Sequence, residues 1–231
     1  MKILALILAR GGSKRLRNKN LRKIKGKSLI GITISFAKKL HYVENILVST
    51  DNDKILKEAK KNKVIAAWLR PKFLSRDNST SADSAIHALN WYERKFNKID
   101  GLLLLQPTSP IRVLKTFHKG INFFFRNKSS PVVGVSPYYK KLIDFAKVYK
   151  NKGKTIFKKE KIKSISNKHI FKINGSFYLI SPKMLRNNKS FICKKFTPLV
   201  MKSFRESIDI DNEKDLQIAK IFSDKKNDKK I

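Results

Sequence analysis

Residues 2–20 read KILALILARGGSKRLRNKN, a stretch in which a continuous apolar run leads directly into a loop of glycines and cations. Uninterrupted aliphatic runs are typical of parallel strands that are buried on both faces of a sheet. The loop that follows holds Gly11 and Gly12, and it carries five cations from Arg10 to Lys19. Glycines let backbone amides approach a ligand closely, and the cations neutralise a negative charge. The stretch therefore predicts a buried first strand that ends at a binding site for an anion.

Strand-like and helix-like patterns then alternate along the chain. Short apolar runs predict strands at 2–9, 44–51, 64–69, 101–107, 131–136 and 173–181, and residues 207–222 read as a strand that leads into a helix. Apolar residues at helical spacing predict helices at 28–40, 51–62, 81–96 and 114–127, with Ser81 as the candidate cap of the third. This alternation is typical of an α/β fold with a mostly parallel central sheet flanked by helices.

Polar residues collect where the predicted strands end. They occupy residues 10–20, 49–51, Arg70 and residues 106–109. Because ligands of parallel α/β sheets bind beyond the carboxyl ends of the strands, we expect these four tips to form one crevice.

The composition fits one packed domain with a strongly basic surface. The 231 residues are 41% hydrophobic and 30% charged, and the formal net charge is +36. We assign residues 1–223 to a single domain and 224–231 to a frayed basic tail.

A net charge of +36 is typical of proteins that bind nucleic acid or anionic membranes. Lysine spread along the chain makes up most of the basic residues, whereas nucleic-acid readers cluster arginine. This favours a solvated lysine surface with no nucleic-acid partner, and a basic nucleic-acid-binding protein is the alternative.

Cysteine content and hydropathy argue against several other classes of protein. The single cysteine, Cys193, permits neither an internal disulfide nor a cysteine-based zinc site, which fits a reducing cytoplasm. The apolar run at 3–9 is too short to span a bilayer and lacks a small-residue cleavage site. We therefore expect a cytoplasmic protein with no membrane partner and no signal peptide.

The glycine loop does not match the best-known phosphate-binding motifs. It lacks the third glycine of G-x-G-x-x-G, and a Walker A motif that ends in Gly26-Lys27-Ser28 would need glycine at position 21, where Leu21 stands. A surface turn of a lysine-rich protein is one interpretation of what remains. The position directly after the first buried strand favours phosphate binding instead.

Two aspartates in the segment SIDID, residues 207–211, form a second candidate site. On an extended chain Asp209 and Asp211 lie on the same face, with the isoleucines on the other. Adjacent carboxylates repel each other, so either they share a hard cation such as Mg²⁺ or one of them is protonated. Alternatively, Asp211 or Asn212 caps the last helix, with Asp215 completing a capping box.

Six motifs occur in a fixed order along the chain. They are LARGGSKRLRNKN (8–20), VSTD (48–51), LRPKFLSRDNSTSADSAIHAL (69–89), LLQPTSPIR (104–112), NGSFYLI (174–180) and SIDIDNEKDL (207–216). Together they resemble the signature of the CMP-sialic acid synthetases, also called acylneuraminate cytidylyltransferases. The resemblance covers nearly the whole chain and is weakest at 137–172.

The resemblance implies a fold, an activity and partners. The fold would be that of a Rossmann-like nucleotidyltransferase with a small protruding dimerisation arm, which we place at 137–172, and the protein would be a homodimer. The activity would be transfer of CMP from CTP to the anomeric hydroxyl of a nine-carbon 2-keto sugar acid, with Mg²⁺ as cofactor and pyrophosphate as the second product. N-acetylneuraminate and legionaminate-like acids are the expected substrates. The alternatives are a synthetase for the eight-carbon acid Kdo and another sugar nucleotidyltransferase of the same fold.

The resemblance also implies which residues form the site. Catalysis falls to Arg10, Lys19 and Asp211, and Mg²⁺ to Asp209 and Asp211. Nucleotide binding falls to Ala9, Arg10, Gly11, Gly12, Ser13, Asn20, Arg70 and Ser81. Sugar binding falls to Lys19, Gln106, Asn174, Tyr178 and Phe191. For the strand that carries Asn174 and Tyr178, a purely structural role in the core is the alternative.

The predicted arm departs from the family pattern. Relatives carry a segment rich in arginine and glutamine ahead of the Asn-Gly pair, whereas residues 161–172 here contain no arginine. Lysine cannot reproduce the bidentate grip of arginine on a carboxylate or a phosphate. We therefore assign no site residue to the arm.

Overall fold

The computed structural model describes residues 2–76, 78–127, 130–138, 146–149, 152–155 and 170–223, with 146–149 and 152–155 as backbone only. The strands are β1 (Ile3–Leu8), β2 (Lys23–Ile24), β3 (Lys27–Ser28), β4 (Val43–Ser49), β5 (Gly101–Leu104), β6 (Val132–Pro137), β7 (Ala146–Tyr149), β8 (Lys152–Thr155), β9 (Phe171–Ile180) and β10 (Thr197–Val200). The helices are α1 (Leu29–Ala37), α2 (Asp53–Lys61), α3 (Ser81–Lys95), α4 (Leu114–Arg126), α5 (Pro182–Asn188) and α6 (Glu213–Phe222).

Within the described residues, six strands form the central sheet in the order β10-β6-β9-β5-β1-β4. Strand β1 runs parallel to β4 and β5, and β10 runs parallel to β6. Strand β9 is antiparallel to both of its neighbours, β5 and β6. The mostly parallel α/β sheet predicted from the sequence is therefore confirmed, and one antiparallel strand joins its two parallel parts.

The first strand contributes to two cores because successive side chains of a strand point to opposite faces of the sheet. Ile3, Ala5 and Ile7 pack on one face with side chains of α1, α2 and α4. Leu4 and Leu6 pack on the other face with side chains of α3 and α5. All five side chains are fully buried. Each buried leucine or isoleucine contributes about 1.5–3 kcal/mol, so this strand anchors the loop that follows it.

A third and smaller core lies beneath the glycine loop. It joins apolar residues near the amino terminus to residues around α6, which are remote in sequence. Its members are Leu16, Ile24, Leu29, Ile208, Ile210, Leu216 and Ala219.

Two strand predictions are wrong. Residues 64–69 lie beside β4 but form only two isolated bridges, Leu47 with Ile65 and Thr50 with Leu69. The strand expected ahead of the last helix is an extended segment, 208–211, that joins no sheet among the described residues. A hydrogen bond from the Ile210 N–H to the carbonyl oxygen of Thr108, at 2.8 Å, holds it in place.

The predicted arm is described only in part. Strands β7 and β8 form an antiparallel hairpin that, in the described part of the chain, pairs within itself and not with the central sheet. The arginine-free part of the arm at 161–169 and the tail at 224–231 lie outside the described residues. None of the described helices combines the length and the apolar character needed to cross a bilayer.

Candidate active site

The loop after β1 is fixed to the end of the neighbouring strand β4. The Gly11 N–H donates to Asp51 Oδ1 at 2.8 Å. A Cβ atom at position 11 would lie 2.7 Å from Asn52 Nδ2, so only glycine allows this close approach. Nothing lies within 4 Å of a Cβ built at Gly12, which leaves the space beside its backbone open.

Asn20 closes the same loop from its other end. Its side chain is 7% exposed, and its Nδ2 donates to the carbonyl oxygen of Arg10 at 2.8 Å. Lys19 precedes it at the start of a 3₁₀ turn, Lys19–Leu21. The turn thus holds Lys19 and the backbone of Arg10 in a fixed relation to each other.

A cavity of about 290 Å³ opens beyond the carboxyl ends of β1 and β5. Three of the four tips predicted from the sequence line it, namely the glycine loop, Arg70 and the end of β5. The fourth, residues 49–51, does not line the cavity and reaches the glycine loop through the contact of Asp51 with Gly11. Among the described residues, four that line the cavity are cations, and none that lines it is acidic. The lining residues are Leu8, Arg10, Lys19, Asn20, Arg70, Leu74, Arg76, Ser79, Thr80, Ser81, Ser84, Gln106, Pro107 and Thr108.

Arg70 is the most buried of the four cations, at 5% exposure. Burial lowers the pKa of Arg70, the carboxylate of Asp51 opposes that change, and Arg10 lowers the pKa further. Its Nε donates to Ser75 Oγ at 3.2 Å. A buried guanidinium next to a second arginine is stabilised by an anion, which makes this end of the cavity suited to phosphate.

The amino terminus of α3 also faces this cavity. The prediction that Ser81 caps the helix is wrong, because Thr80 is the cap and forms a capping box with Asp83. Thr80 Oγ1 accepts from the Asp83 N–H at 3.0 Å. Ser81 is therefore the first helical residue, exposed at the cavity wall, where its hydroxyl is available to a ligand.

The aspartate segment reaches the glycine loop. Ile208 and Ile210 are buried in the third core, and the two aspartates alternate with them on the exposed side. Asp211 Oδ1 lies 3.0 Å from Lys19 Nζ, and its Oδ2 lies 3.2 Å from Arg15 Nη2. The side chain of Lys19 is 16% exposed and that of Arg15 is 72% exposed, so the contact with Lys19 is the less solvated of the two.

The last helix is capped by Asn212 and not by Asp211. Asn212 Oδ1 accepts from the Asp215 N–H at 3.1 Å, and Asp215 Oδ2 accepts from the Asn212 N–H at 3.0 Å. Asp215 Oδ2 also accepts from the Asp211 N–H at 2.8 Å. The capping box thus fixes the backbone of Asp211 and leaves its carboxylate directed to the cations of the loop.

A second cavity, of about 240 Å³, adjoins the first and shares Thr80, Ser81 and Gln106 with it. Tyr178 and Phe191 form part of its wall, with their ring centroids 5.9 Å apart. The lining residues are Thr80, Ser81, Ala82, Leu104, Gln106, Tyr178, Lys189, Ser190, Phe191 and Ile192.

Asp209 lies on the side of this second cavity. Burial raises the pKa of Tyr178, and the charge of Asp209 raises it further. Gly175 has φ +75°, and a Cβ there would lie 3.1 Å from Gln106 Oε1 and 4.0 Å from Asp209 Oδ2. The two aspartates therefore face different neighbours, Asp211 the loop cations and Asp209 the surroundings of Gln106 and Tyr178.

Some predicted residues are not brought to either cavity. Ala9, Gly11, Gly12 and Ser13 belong to the loop but do not line the first cavity. Asn174 is 6% exposed; its Nδ2 donates to Ser136 Oγ, and its Oδ1 accepts from the Ser176 N–H. The assignment of Asn174 to sugar binding stays a prediction, and in the structure its side-chain amide forms hydrogen bonds within the protein.

The sequence reasoning missed several residues that line the cavities. Arg76, Ser79 and Ser84 follow Arg70 within one of the six motifs, so the motif itself was a signal for them. Lys189 and Ser190 lie outside every motif, and no pattern in the sequence pointed to them. They reach the second cavity because α5 ends at Asn188 and Lys189 takes a left-handed backbone conformation, with φ 46°.

The described residues contain no group of three or more histidine, cysteine, aspartate or glutamate side chains arranged to hold a metal ion. Asp209 and Asp211 are two carboxylates that alternate with the buried isoleucines, and Asp211 contacts Lys19, which lines the cavity rich in cations. Mg²⁺ commonly uses one or two carboxylates and completes its shell with water and substrate phosphates. The pair therefore fits a Mg²⁺ ion that arrives with a polyphosphate.

Comparison with known proteins identifies the family and the fold of the chain. A family model described as cytidylyltransferase matches residues 4–230. The chain is 36% identical over 215 residues to the CMP-N,N'-diacetyllegionaminic acid synthase of Legionella pneumophila, with 91% of each chain covered. It is 28% identical to the N-acylneuraminate cytidylyltransferase of Escherichia coli, with 100% of this chain and 54% of that protein covered. A solved CMP:2-keto-3-deoxy-manno-octonic acid synthetase complexed with CTP has the same fold, with a TM-score of 0.71, 14% identity, and coverage of 96% of this chain and 98% of that one.

Proposed function

The chain belongs to the cytidylyltransferase family, and on that premise we propose that it transfers CMP from CTP to the anomeric hydroxyl of a nine-carbon 2-keto sugar acid. The observation that carries this proposal is the contact between Lys19 Nζ and Asp211 Oδ1 at 3.0 Å. This contact brings the glycine loop and the aspartate pair to one cleft. Nucleotidyl transfer needs groups that bind the phosphates and groups that hold Mg²⁺ at the same place. The higher identity to the legionaminic acid synthase supports a legionaminate-like acid over N-acetylneuraminate.

The first cavity supplies what the triphosphate needs. Arg10, Lys19, Arg70 and Arg76 line it and balance the charge of the phosphates. The open backbone at Gly12 and the amino terminus of α3 add hydrogen-bond donors. We assign Asn20 and Ser81 to the ribose and base side of the nucleotide, since both line the same cavity.

The second cavity supplies the place for the sugar acid. It shares Gln106 and Ser81 with the first, so a sugar held there lies beside the nucleotide. The rings of Tyr178 and Phe191 offer an apolar wall, and Gln106 offers both a donor and an acceptor. A cavity with an aromatic wall on one side and hydrogen-bonding side chains such as Ser81, Gln106 and Ser190 elsewhere suits an acylated sugar.

The reaction needs an in-line displacement at phosphorus. The anomeric oxygen forms a bond to the α-phosphorus while the bond to the bridging oxygen of the β-phosphate breaks, and pyrophosphate leaves with the electron pair. We assign Arg10 and Lys19 to the charge that grows on the phosphates. The proton of the sugar hydroxyl passes to a base, and we assign that role to Asp211.

We also propose that Asp209 and Asp211 hold Mg²⁺. The position of both aspartates on the side of the segment opposite the buried isoleucines, with Asp209 exposed and Asp211 partly exposed, supports this assignment. When bound, the ion would neutralise phosphate oxygens and lower the barrier to displacement. Lys19, which pairs with Asp211, would then be released to contact the phosphates itself.

We further propose that the protein is a cytoplasmic homodimer whose subunits meet through the arm at 137–172. The self-paired hairpin β7–β8 supports an arm outside the central sheet, and the buried free thiol of Cys193 fits a reducing compartment. Light scattering after gel filtration should give about twice the chain mass of 26.7 kDa. A mass that stays at the monomer value at micromolar concentration contradicts the dimer.

Pyrophosphate release tests the activity. The purified protein is incubated with Mg²⁺, each of the four nucleoside triphosphates, and a panel that holds legionaminate-type acids, N-acetylneuraminate, pseudaminate and the eight-carbon Kdo. We expect turnover with CTP alone among the nucleotides and with nine-carbon acids alone among the sugars. Turnover with Kdo only would assign the chain to the eight-carbon reaction, and no turnover with any pair would overturn the proposed function.

A further inference from the structure

Arg112 is a partly buried cation that the proposed reaction does not use. It follows the loop that leaves β5, and its Nε is buried with no hydrogen-bond partner in the described part of the chain. Burial lowers the pKa of Arg112 to about 9, which leaves the guanidinium charged at neutral pH. Burying a charge is costly, so a guanidinium kept in this place needs a structural or functional reason.

The guanidinium connects helix α1 to the end of β5. On the helix side, Nη1 donates to Thr33 Oγ1 at 3.2 Å, and Cζ lies 5.7 Å from the ring centroid of Phe36. On the strand side, Nη2 donates to the carbonyl oxygen of Gln106 at 2.5 Å. Thr33 is held in turn, because its hydroxyl donates to the carbonyl oxygen of Leu29 at 2.9 Å.

The loop after β5, which Arg112 contacts at Gln106, is connected to the candidate site through two of its residues, Gln106 and Thr108. Gln106 lines both cavities, and its carbonyl oxygen also accepts from the Ser109 N–H at 3.1 Å, which closes the turn. Thr108 lines the first cavity, and its carbonyl oxygen accepts from the Ile210 N–H at 2.8 Å. Ile210 stands between the two aspartates. A shift of this loop would therefore move the Gln106 side chain and the aspartate segment together.

We infer that Arg112 is a positioning residue for the sugar-acid half of the reaction, an inference that rests on the proposed function. By fixing the Gln106 carbonyl against α1, it sets the direction of the Gln106 side chain toward the second cavity. Through Thr108 it also sets the register of the aspartate segment. The glycine loop also has contacts that do not pass through Arg112, namely those with Asp51 and Asn20. Loss of Arg112 should therefore weaken the use of the sugar acid more than the binding of CTP.

Steady-state kinetics of R112M, R112K and T33V separate positioning from general stabilisation. R112M keeps a long apolar side chain but removes all donors, and we expect the KM for the sugar acid to rise about tenfold and kcat to fall about tenfold. The Kd for CTP, measured by calorimetry without the sugar acid, should change less than threefold. R112K should resemble R112M, since one ammonium group cannot span the two acceptors in the fixed fork of a guanidinium.

T33V keeps Arg112 and removes its acceptor on α1, together with the hydrogen bond from the Thr33 hydroxyl to the Leu29 carbonyl within the helix. It therefore tests the same bridge if R112M folds poorly. We expect a rise of about threefold in the KM for the sugar acid. R126M, at an exposed arginine in the last turn of α4, is the control for loss of one positive charge and should behave as wild type.

The outcomes distinguish this inference from the proposed function. If the wild-type protein shows no turnover, the proposed function itself is wrong, whatever the Arg112 variants do. With an active wild type, the positioning role is wrong if R112M and T33V leave the sugar-acid KM unchanged. It is also wrong if R112M weakens CTP binding as much as it raises the sugar-acid KM.

Discussion

The carboxylate of Asp211 has two possible uses, as a helix cap or as part of the active site, and its neighbours decide between them. The side chains of Asn212 and Asp215 each accept a hydrogen bond from the backbone N–H of the other, which caps the first turn of α6. Asp211 is left with Lys19 and Arg15 as its side-chain partners. Both uses were open from the sequence, because aspartate and asparagine cap helices about equally well.

Two aspartate-to-asparagine variants separate these uses. D211N removes the charge that pairs with Lys19, and we expect kcat to fall at least about 100-fold. Because the ion pairs are partly solvated, the free energy of unfolding should change by about 1 kcal/mol or less. Pyrophosphate release and thermal melting followed by circular dichroism measure the two effects.

The matched control is D215N, which alters the capping box and leaves Asp211 in place. It should lower the free energy of unfolding by about 1 kcal/mol and keep kcat within about fivefold of wild type. The assignment of Asp211 to the reaction is wrong if D211N turns over as fast as D215N.

Residue types in motifs predicted much of the site, and contact geometry decided the rest. Arg70, Gln106 and Tyr178 line the cavities as predicted. Asn174 does not, because its amide donates to Ser136 Oγ inside the protein, next to Gly175, where β9 takes a positive φ of +75°. The side of a strand that a residue faces depends on irregularities such as the register shift between β6 and β9, which no single-sequence pattern reveals.

At the scale of elements, Glu206 links the 3₁₀ turn Phe204–Ser207 to the amino terminus of α4. It is 6% exposed, and one of its oxygens, Oε1, is buried with no partner in the described residues. Burial raises the pKa of Glu206, while hydrogen bonds from the Thr116 side chain and the Val113 backbone lower it in part. The net direction is upward, so the folded protein holds this proton more tightly than the unfolded chain does.

The sign of this pKa change predicts a loss of stability with rising pH. The contribution of Glu206 is fully present below its ordinary pKa of 4.5 and is lost as the pH rises through the raised value in the folded state. E206Q stays neutral, so its free energy of unfolding should fall less than that of wild type between pH 5 and pH 8. Urea denaturation followed by tryptophan fluorescence measures both, and parallel curves for the two proteins would contradict the raised pKa.

Element predictions succeeded where the hydrophobic pattern is long. The helices at α1 to α4 and the strands β1, β4, β6 and β9 agree with the predicted ranges to within a few residues. Strand β10 and helix α5 were missed, since four and seven residues are too few to show a period. Residues 64–69 have a strand-like composition but lie at the edge of β4, where only isolated bridges form.

At the scale of the whole molecule, the net charge of +36 and the cationic cavity act on the same ligand. We expect the field of the protein to attract a triphosphate, which under the proposed function is then bound by the four cations of the cavity. A sugar acid carries a single carboxylate and responds far less to that field. The lysine-rich surface thus has a physical consequence for CTP even without a role in nucleic-acid binding.

Ionic strength tests this difference. Raising KCl from 0.05 to 0.5 M shortens the Debye length by about a factor of three, so we expect the KM for CTP to rise about three- to tenfold. The KM for the sugar acid should change less than twofold, and it serves as the internal control. If the KM for CTP and the KM for the sugar acid change equally, or if neither changes, the charge of the molecule does not assist CTP binding.

The sequence by itself determined the α/β architecture, the order of the motifs and the chemical types at the site. Hydrophobic periodicity and glycine placement act over a few residues, so they can be read without the fold. The tertiary structure alone decided that Asp211 meets Lys19, because that contact depends on a small core in which Leu16 and Ile24 pack with Ile208 and Ile210. It also decided that Arg112 lies between α1 and Gln106. Such contacts join distant parts of the chain, and packing in three dimensions, which no local pattern encodes, sets them.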